Sequence, residues 1–374
     1  MDKTQPMRGT LTSLDAALAN LCDGQALVEP IPMPLDRASG YVAAEMPALG
    51  SSLPAQNMAV LDGWALCSLD LAGASPYSPV PLSQLPRWVE TGETLPEGCD
   101  CVLRSDLVEQ DGPLMQALAE ASPGQGARRA GEDIAARRPL VLAGRRLCAA
   151  DLLVLRGTGC GVVMVRSPVL SLINLAPSDG ARLTAEFIAT LAREAGARVK
   201  IETATRDVQA ITAVLAHASG DLVVLVGGTG GGRTDCVAQA LANAGTLIAH
   251  GIALQPGETT AAARCGAAPV VALPGLPAHA LAAYLLLVQP LIDRLSARLP
   301  RQGVTLPLSR KIASAVGIAE VALVCRQADT WQALAVGDLS LDHIRMADAW
   351  LAVGGDSEGY AAGVAVEAFP LWAI

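Results

Sequence analysis

Between residues 167 and 299 short apolar runs alternate with stretches of helical spacing, and few architectures accept that rhythm. Residues 169–175 read as a strand. Residues 181–195 read as an amphipathic helix with Leu183, Phe187, Ile188, Leu191 and Ala195 on one face, stopped by Gly196. A strand over 197–202 and a helix over 207–218 follow. Residues 221–226 are apolar after Asp221, the pattern of a strand buried on both faces. A glycine-rich loop and another helix come next, then a strand over 270–273, the turn Pro274-Gly275-Leu276-Pro277, and a long helix to about Leu299. Strands joined by helices of this length cross over and run parallel. The spacing therefore predicts a three-layer α/β domain over 167–299, with a parallel-rich sheet between helices.

The flanking text is different. A helix over 14–22 with Ser13 as its cap, and residues 143–166 with Asp151 as a possible cap and a strand over 161–166, suggest a helical and strand linker domain built from 10–30 and 143–166. Over 31–142 apolar runs are short and turn signals recur, among them Asp62-Gly63, Pro96-Glu97-Gly98 and Asp111-Gly112-Pro113. That segment reads as mostly β, with 126–131 a loop. After Pro300 helices fade, and 321–326 and 361–369 read as strands of a small C-terminal β domain over 300–374. The fold class expected is α/β multidomain.

Composition narrows the function classes. Aromatic residues make up 3% against 51% hydrophobic, so the core must be Ala, Leu and Val. The apolar run over 280–288 has nine residues and ends at Gln289-Pro290, whereas a bilayer span takes about 20 residues. No membrane span is expected, and the polar start gives no secretory signal, so a cytoplasmic location is expected. A net charge of −9 argues against nucleic acid as partner. Nine cysteines without a CxxC pair suit a reducing compartment, and the four scattered histidines lack metal-ligand spacing. Lysine occurs three times, at 3, 200 and 311, so a bound anion must be held by arginines, backbone amides or a metal.

The strongest candidate for chemistry is Val226-Gly227-Gly228-Thr229-Gly230-Gly231-Gly232-Arg233-Thr234-Asp235. It leaves a buried strand and opens a helix, where glycines permit close backbone approach and amides favour anions. It is neither a Walker loop nor a dinucleotide fingerprint. Pro274, Gly275 and Pro277 form a second turn after a strand, able to wall the same pocket or simply to start a helix. In the first half Asp62, Asp106 and Glu132-Asp133 stand in turn-like settings. Carboxylates gathered around a phosphate would suit Mg²⁺. Asp62-Gly63 is equally a plain hairpin turn.

Taken together, these motifs resemble the molybdenum insertase family (MoeA, and the E domain of gephyrin). Residues 54–65, with Asp62-Gly63-Trp64-Ala65, stand in register with a family signature ending Met-Asp-Gly-Tyr-Ala. Thr91-Gly92-Glu93 with Pro96, Gly98 and Asp100 follows a second signature, and Arg128-Arg129-Ala130-Gly131-Glu132-Asp133 a third. Gly227-Gly228 through Asp235 and Leu273-Pro274-Gly275-Leu276-Pro277 supply two more. The resemblance implies a homodimer that takes adenylylated molybdopterin and molybdate, hydrolyses the adenylate with Mg²⁺, and releases molybdenum cofactor and AMP. It implies that Thr91, Gly227, Gly228, Thr229, Gly230, Gly231, Gly232, Arg233, Pro274, Gly275 and Pro277 bind the pterin phosphate. Asp62, Asp133, Asp179 and Asp235 would serve catalysis, with Asp62 and Asp235 as metal ligands.

Departures cluster at anion-binding positions. The family's Ser-Thr-Gly-Asp-Glu stands here as residues 176–180, keeping Asp179 but losing the Glu. Counted from Asp235, the family's lysines fall on Gly251, Gln255 and Glu258, and its Asn after Pro-Gly becomes Leu276. Arg233 or Arg264 would have to replace the lost charge. Two readings stay open: an insertase-type transferase, or a non-catalytic molybdopterin or cofactor binder acting as carrier, scaffold or chaperone for a molybdoenzyme.

Overall fold

Leu222–Val226 (β3) is buried at all five positions, and the α/β domain is organised around it. Alternation sends Leu222, Val224 and Val226 into one core and Val223 and Leu225 into another, one on each sheet face. The computed structural model describes residues 10–46, 49–176 and 182–372. The other strands of the sheet are Val169–Ala176 (β1), Arg198–Thr205 (β2), Thr246–His250 (β4), Ala261–Cys265 (β5) and Ala268–Leu273 (β6). Their order is β2-β1-β3-β6-β5-β4. The first four run parallel, β5 lies antiparallel to β6, and β4 lies antiparallel to β5, so the sheet is mixed at one edge.

The helices cover both faces. Leu183–Glu194 (α1), Pro277–Ala283 (α4) and Gln289–Leu295 (α5) pack on one side, joined there by Ala17 and Leu21 of the N-terminal helix Leu14–Cys22. Val208–His217 (α2) and Val237–Ala244 (α3) pack on the other. Fully burying each Leu, Val or Ile contributes roughly 1.5–3 kcal/mol. The caps are as the residue types predict: Ser13 accepts from the Ala16 amide, Asp207 from those of Gln209 and Ala210, and Pro277 opens α4.

Some local expectations change. The long helix after Pro277 is interrupted by a π turn, Tyr284–Val288, in which the Gln289 N–H reaches the Tyr284 carbonyl. The wider turn comes immediately before Pro290, which has no N–H to donate and would crowd the carbonyl four residues back. The helix then ends at Leu295 rather than near Leu299. Leu183, expected on the buried face of α1, is 65% exposed. Asp151 is not the cap of the helix Ala149–Gly157 but lies inside its first turn, where its carboxylate accepts from the Cys148 amide and pairs with Arg145.

The described residues divide into two compact units. One comprises the residues up to Glu45, 142–153 and those from Gly161 on; the other comprises 46–141 and 154–160. In the first unit Val162–Arg166 lies between Ile31–Pro34 and Val42–Ala43, antiparallel to both. Its C-terminal sheet runs Leu254–Gln255, Ala319–Gln327, Ala349–Val353, Ala365–Pro370, Val304–Pro307, with Thr330–Val336 paired to Ala319–Gln327. Ser340 and His343 form a capping box on a short helix, Leu341–Met346, too brief to show in the periodicity.

The second unit is a set of small antiparallel sheets. Gly63–Leu66 is a central strand between Arg87–Val89 and Cys101–Leu103. Asp62-Gly63 is therefore not the hairpin turn its residues allow. Gly63 begins a strand, and a Cβ there would lie 2.1 Å from the Leu103 carbonyl oxygen. Glycine is required by that close approach, not by a turn. Among the described residues no helix is long and apolar enough to cross a membrane.

Replacing Gly63 by Ala must displace backbone, so it should lower the stability of this unit by about 1–3 kcal/mol, the usual range for overpacking. Denaturant unfolding followed through the Trp64–Trp88 edge-to-face pair, 5.2 Å between centroids, reads the loss. Unchanged stability would show that the strand tolerates a side chain there.

Candidate functional site

In an open α/β sheet a ligand crevice forms outside the carboxyl ends of strands where the chain reverses its direction of winding. Here the connection after β1 runs to β2 at one edge, and the connection after β3 runs toward the other. A cavity of about 640 Å³ opens at that point. Its walls come from the ends of β1 (Asn174, Leu175), β2 (Arg206), β3 (Val226 to Gly230) and β6 (Pro274 to Pro277).

The glycine loop is shaped by Asp235. Gly227 and Gly228 adopt left-handed φ values of 96° and 70°, which a side chain would strain. The Gly232 N–H donates to the Asp235 carboxylate at 2.9 Å. A Cβ at Gly230 or Gly232 would meet that same carboxylate at 2.9 Å. Behind the loop His250 Nε2 lies 2.8 Å from the Thr229 carbonyl, and the Thr229 hydroxyl lies 3.2 Å from that of Thr259. The Gly227 N–H goes to the Leu273 carbonyl, so not every loop amide is directed at the cavity.

Of the residues expected to bind an anion, Gly227, Gly228, Thr229, Gly230, Pro274, Gly275 and Pro277 line the cavity, with Asp235 beside them. Gly231, Gly232 and Arg233 are exposed and are not among its lining residues. Arg264 is engaged elsewhere: its guanidinium donates to the Asn20 and Asp23 carbonyls at the end of the N-terminal helix. Asp179 lies outside the described residues.

The cation the cavity does present is Arg206, which sequence reasoning passed over. It is the only arginine or lysine among the described residues that line the cavity. Its Nε donates to the Leu175 carbonyl at 3.1 Å, and its Nη1 lies 3.8 Å from Asp235. A guanidinium carries five N–H donors, so these contacts leave capacity for a ligand. The signal was available: Arg206 directly follows β2, at the carboxyl end where ligands of such sheets sit. Thr184 was also missed. Its hydroxyl donates to the Gly275 carbonyl at 2.6 Å and ties α1 to the Pro-Gly-Leu-Pro turn. Asn174, Thr259 and His279 add further polar groups to the lining, and its apolar part includes Leu183 and Leu276, 65% and 63% exposed. Glu258 is exposed next to Thr259, a wall residue.

In the other unit Asp62 and Thr91 are brought together. The Thr91 amide and hydroxyl both donate to Asp62 Oδ1, each at 2.7 Å. The Thr91 hydroxyl first, then its amide, hold the Asp62 carboxyl below the usual carboxylate range, so it stays ionised. Asp133 pairs with Arg128, and the Glu132 carboxylate accepts from the Arg129 amide at 2.8 Å.

Among the described residues no group of three or more His, Cys, Asp or Glu stands close enough to hold a metal. Of the two expected ligands, Asp235 is already engaged by Arg206 and the Gly232 amide. Asp62 is the better fit, because Mg²⁺ commonly takes one or two carboxylates together with substrate phosphates.

Residues 12–159 match the profile of the MoeA N-terminal region (domains I and II), and residues 179–294 match the profile described as "Probable molybdopterin binding domain". The chain is 27% identical over 304 residues to molybdopterin molybdenumtransferase 2 of Mycobacterium tuberculosis, covering 70% of this chain and 74% of that one. It is 26% identical over 313 residues to molybdopterin molybdenumtransferase of Haemophilus influenzae, covering 73% and 76%. Two crystal structures of the molybdopterin biosynthesis MoeA protein from Pyrococcus horikoshii superpose with TM-scores of 0.76, at 25% and 21% identity. They cover 98% and 96% of this chain and 100% of theirs.

Thr91→Val removes the hydroxyl that acts most strongly on Asp62 and keeps the shape. The Asp62 pKa should rise toward the ordinary aspartate value, and carboxyl-carbon NMR titration reads the shift. In the native protein the Asp62–Thr91 contact should persist down through the ordinary aspartate pKa and weaken only as pH falls through the lower native value. A variant that titrates like the native protein would remove Thr91 as the cause.

Proposed function

This chain is a divergent member of the MoeA, or molybdenum insertase, family of molybdenum cofactor biosynthesis, and on that footing we propose that it binds adenylylated molybdopterin and transfers molybdate into it with release of AMP. The observation that carries the reading is the cavity at the winding reversal, walled by the glycine loop and the Pro-Gly-Leu-Pro turn and presenting Arg206. The substrate phosphate would meet Arg206 and the loop backbone. The apolar wall around Leu183 and Leu276 would take the flat pterin.

Arg206 takes the part that lysines hold in the family pattern. A guanidinium recognises phosphate oxygens through paired N–H groups rather than as a point charge, so the substrate orientation would be set by its plane. Asp235 fixes that plane from one side and Leu175 from the other. Asp62 is the carboxylate we assign to water or metal. Mg²⁺ would supply charge neutralisation, and Asp62 is the residue suited to ligate it. We also propose a homodimer, as the resemblance implies. Sedimentation velocity tests it against a 38.3 kDa chain.

The loss of cations favours a second reading. Gly251, Gln255 and Glu258 occupy the positions of three family lysines, and Glu258 reverses the charge. A charge of the wrong sign beside an anion is unfavourable. A protein so altered could carry molybdopterin or finished cofactor to a molybdoenzyme without turnover.

Purified protein mixed with adenylylated molybdopterin, molybdate and Mg²⁺ should release AMP, and Asp62→Ala should abolish release while leaving pterin binding. Tight binding without AMP would leave the carrier reading standing alone, and absence of both would end both readings. Arg206→Ala removes a charge-assisted contact of about 1.5–3 kcal/mol, which corresponds to roughly 10–100-fold in affinity. Isothermal titration with molybdopterin reads it. An unchanged affinity would exclude Arg206 as the phosphate ligand.

A further inference from the structure

A second cavity, about 220 Å³, lies between α1, the π turn and the last strand of the C-terminal sheet, and shares no lining residue with the one at the strand ends. Its polar wall carries Arg146, Arg298 and Arg301, and its apolar wall Trp350, Phe369 and Trp372. Three guanidiniums converge here in a chain whose net charge is −9. The opposing carboxylates are few. Arg301 binds Asp293 through two N–H groups, at 2.6 and 2.9 Å, and Arg298 reaches the same carboxylate only at 3.7 Å. Glu194 also borders the cavity, but Arg146 meets its backbone carbonyl, at 3.1 Å. Burial, then the neighbouring Arg301, push the Arg298 guanidinium down to about 10, as expected where cations outnumber the anions that offset them.

Two buried polar atoms on this wall lack a partner among the described residues: the Tyr284 hydroxyl and Arg146 Nε. Tyr284 is 1% exposed. An unpaired buried hydroxyl costs about 1–3 kcal/mol. It is also the first residue of the π turn, whose last bond joins its carbonyl to Gln289, another wall residue. π turns are recurrent at functional positions. The turn before Pro290 thus sets Tyr284 and Gln289 on the same cavity.

From these we infer that this cavity is a binding site for a small oxyanion, a phosphate or carboxylate group, held by Arg298, Arg301, Arg146 and the Tyr284 hydroxyl. The same chemistry arises from a free inorganic ion or from the head group of a small aromatic molecule, whose ring the tryptophans and Phe369 would cover. The inference does not rest on the function proposed for the other cavity.

Inorganic phosphate and phenyl phosphate are the probes, with thermal unfolding and isothermal titration as readouts. Each bound ligand should raise the melting temperature in a saturable way. Phenyl phosphate binding more tightly identifies an organic head group, and equal binding identifies the free ion; either outcome upholds the site. Arg298→Gln should weaken binding at least tenfold. Tyr284→Phe keeps the ring, so without ligand it should melt no lower than the native protein, yet lose about tenfold in affinity. Arg206→Ala should leave the shift intact, separating this site from the other cavity. The inference fails if neither probe stabilises the protein, if Arg298→Gln and Tyr284→Phe bind as tightly as the native chain, or if Arg206→Ala removes the effect.

Discussion

Asp235 folds the glycine loop back on itself, and the candidate site takes its form from that contact. One carboxylate accepts the Gly232 amide and holds Arg206 from across the cavity. Glycines at 227 and 228 are needed for their left-handed backbone, while a Cβ at 230 or 232 would press on the Asp235 carboxylate. The loop is thus built around an acid and its cation. It differs from an open cradle of amides, since the Gly227 and Gly232 N–H groups already have internal partners.

Anion recognition in this chain is a matter of where arginines are placed. With three lysines in 374 residues, the usual point charges are missing. Arg264 closes the end of the N-terminal helix, and Arg128 pairs with Asp133. Arg206 is left at the strand ends, and Arg298 and Arg301 at the second cavity. Arginine stays charged when partly buried, and its planar fork can hold an internal partner and a ligand at once. That property lets a lysine-poor relative of the insertases keep cationic pockets.

The α/β rhythm over 167–299 was legible because buried strands and amphipathic helices differ in period. Leu222–Val226 and α2 stand where the spacing predicts them. The motif order was legible too, since it rests on Gly, Pro and Asp at fixed offsets from one another along the chain. What escaped was whatever depends on a distant partner. Gly63 looks like a turn residue until the Leu103 carbonyl is placed beside it. Leu183 matches the apolar face of α1 and yet borders a cavity, because the helix starts where the sheet ends. The π turn left no trace in a nine-residue apolar run.

By itself the sequence determined the layers, the glycine loop at a strand end and the family, because period, backbone freedom and local spacing are properties of neighbouring residues. Only the tertiary structure decided which charges meet. Arg206 with Asp235, Thr91 with Asp62, and Arg264 with the end of the N-terminal helix are pairs separated by 29 to 244 positions along the chain. Electrostatic and hydrogen-bond energies depend on distance in space, and chain spacing says little about that until the strands are in order.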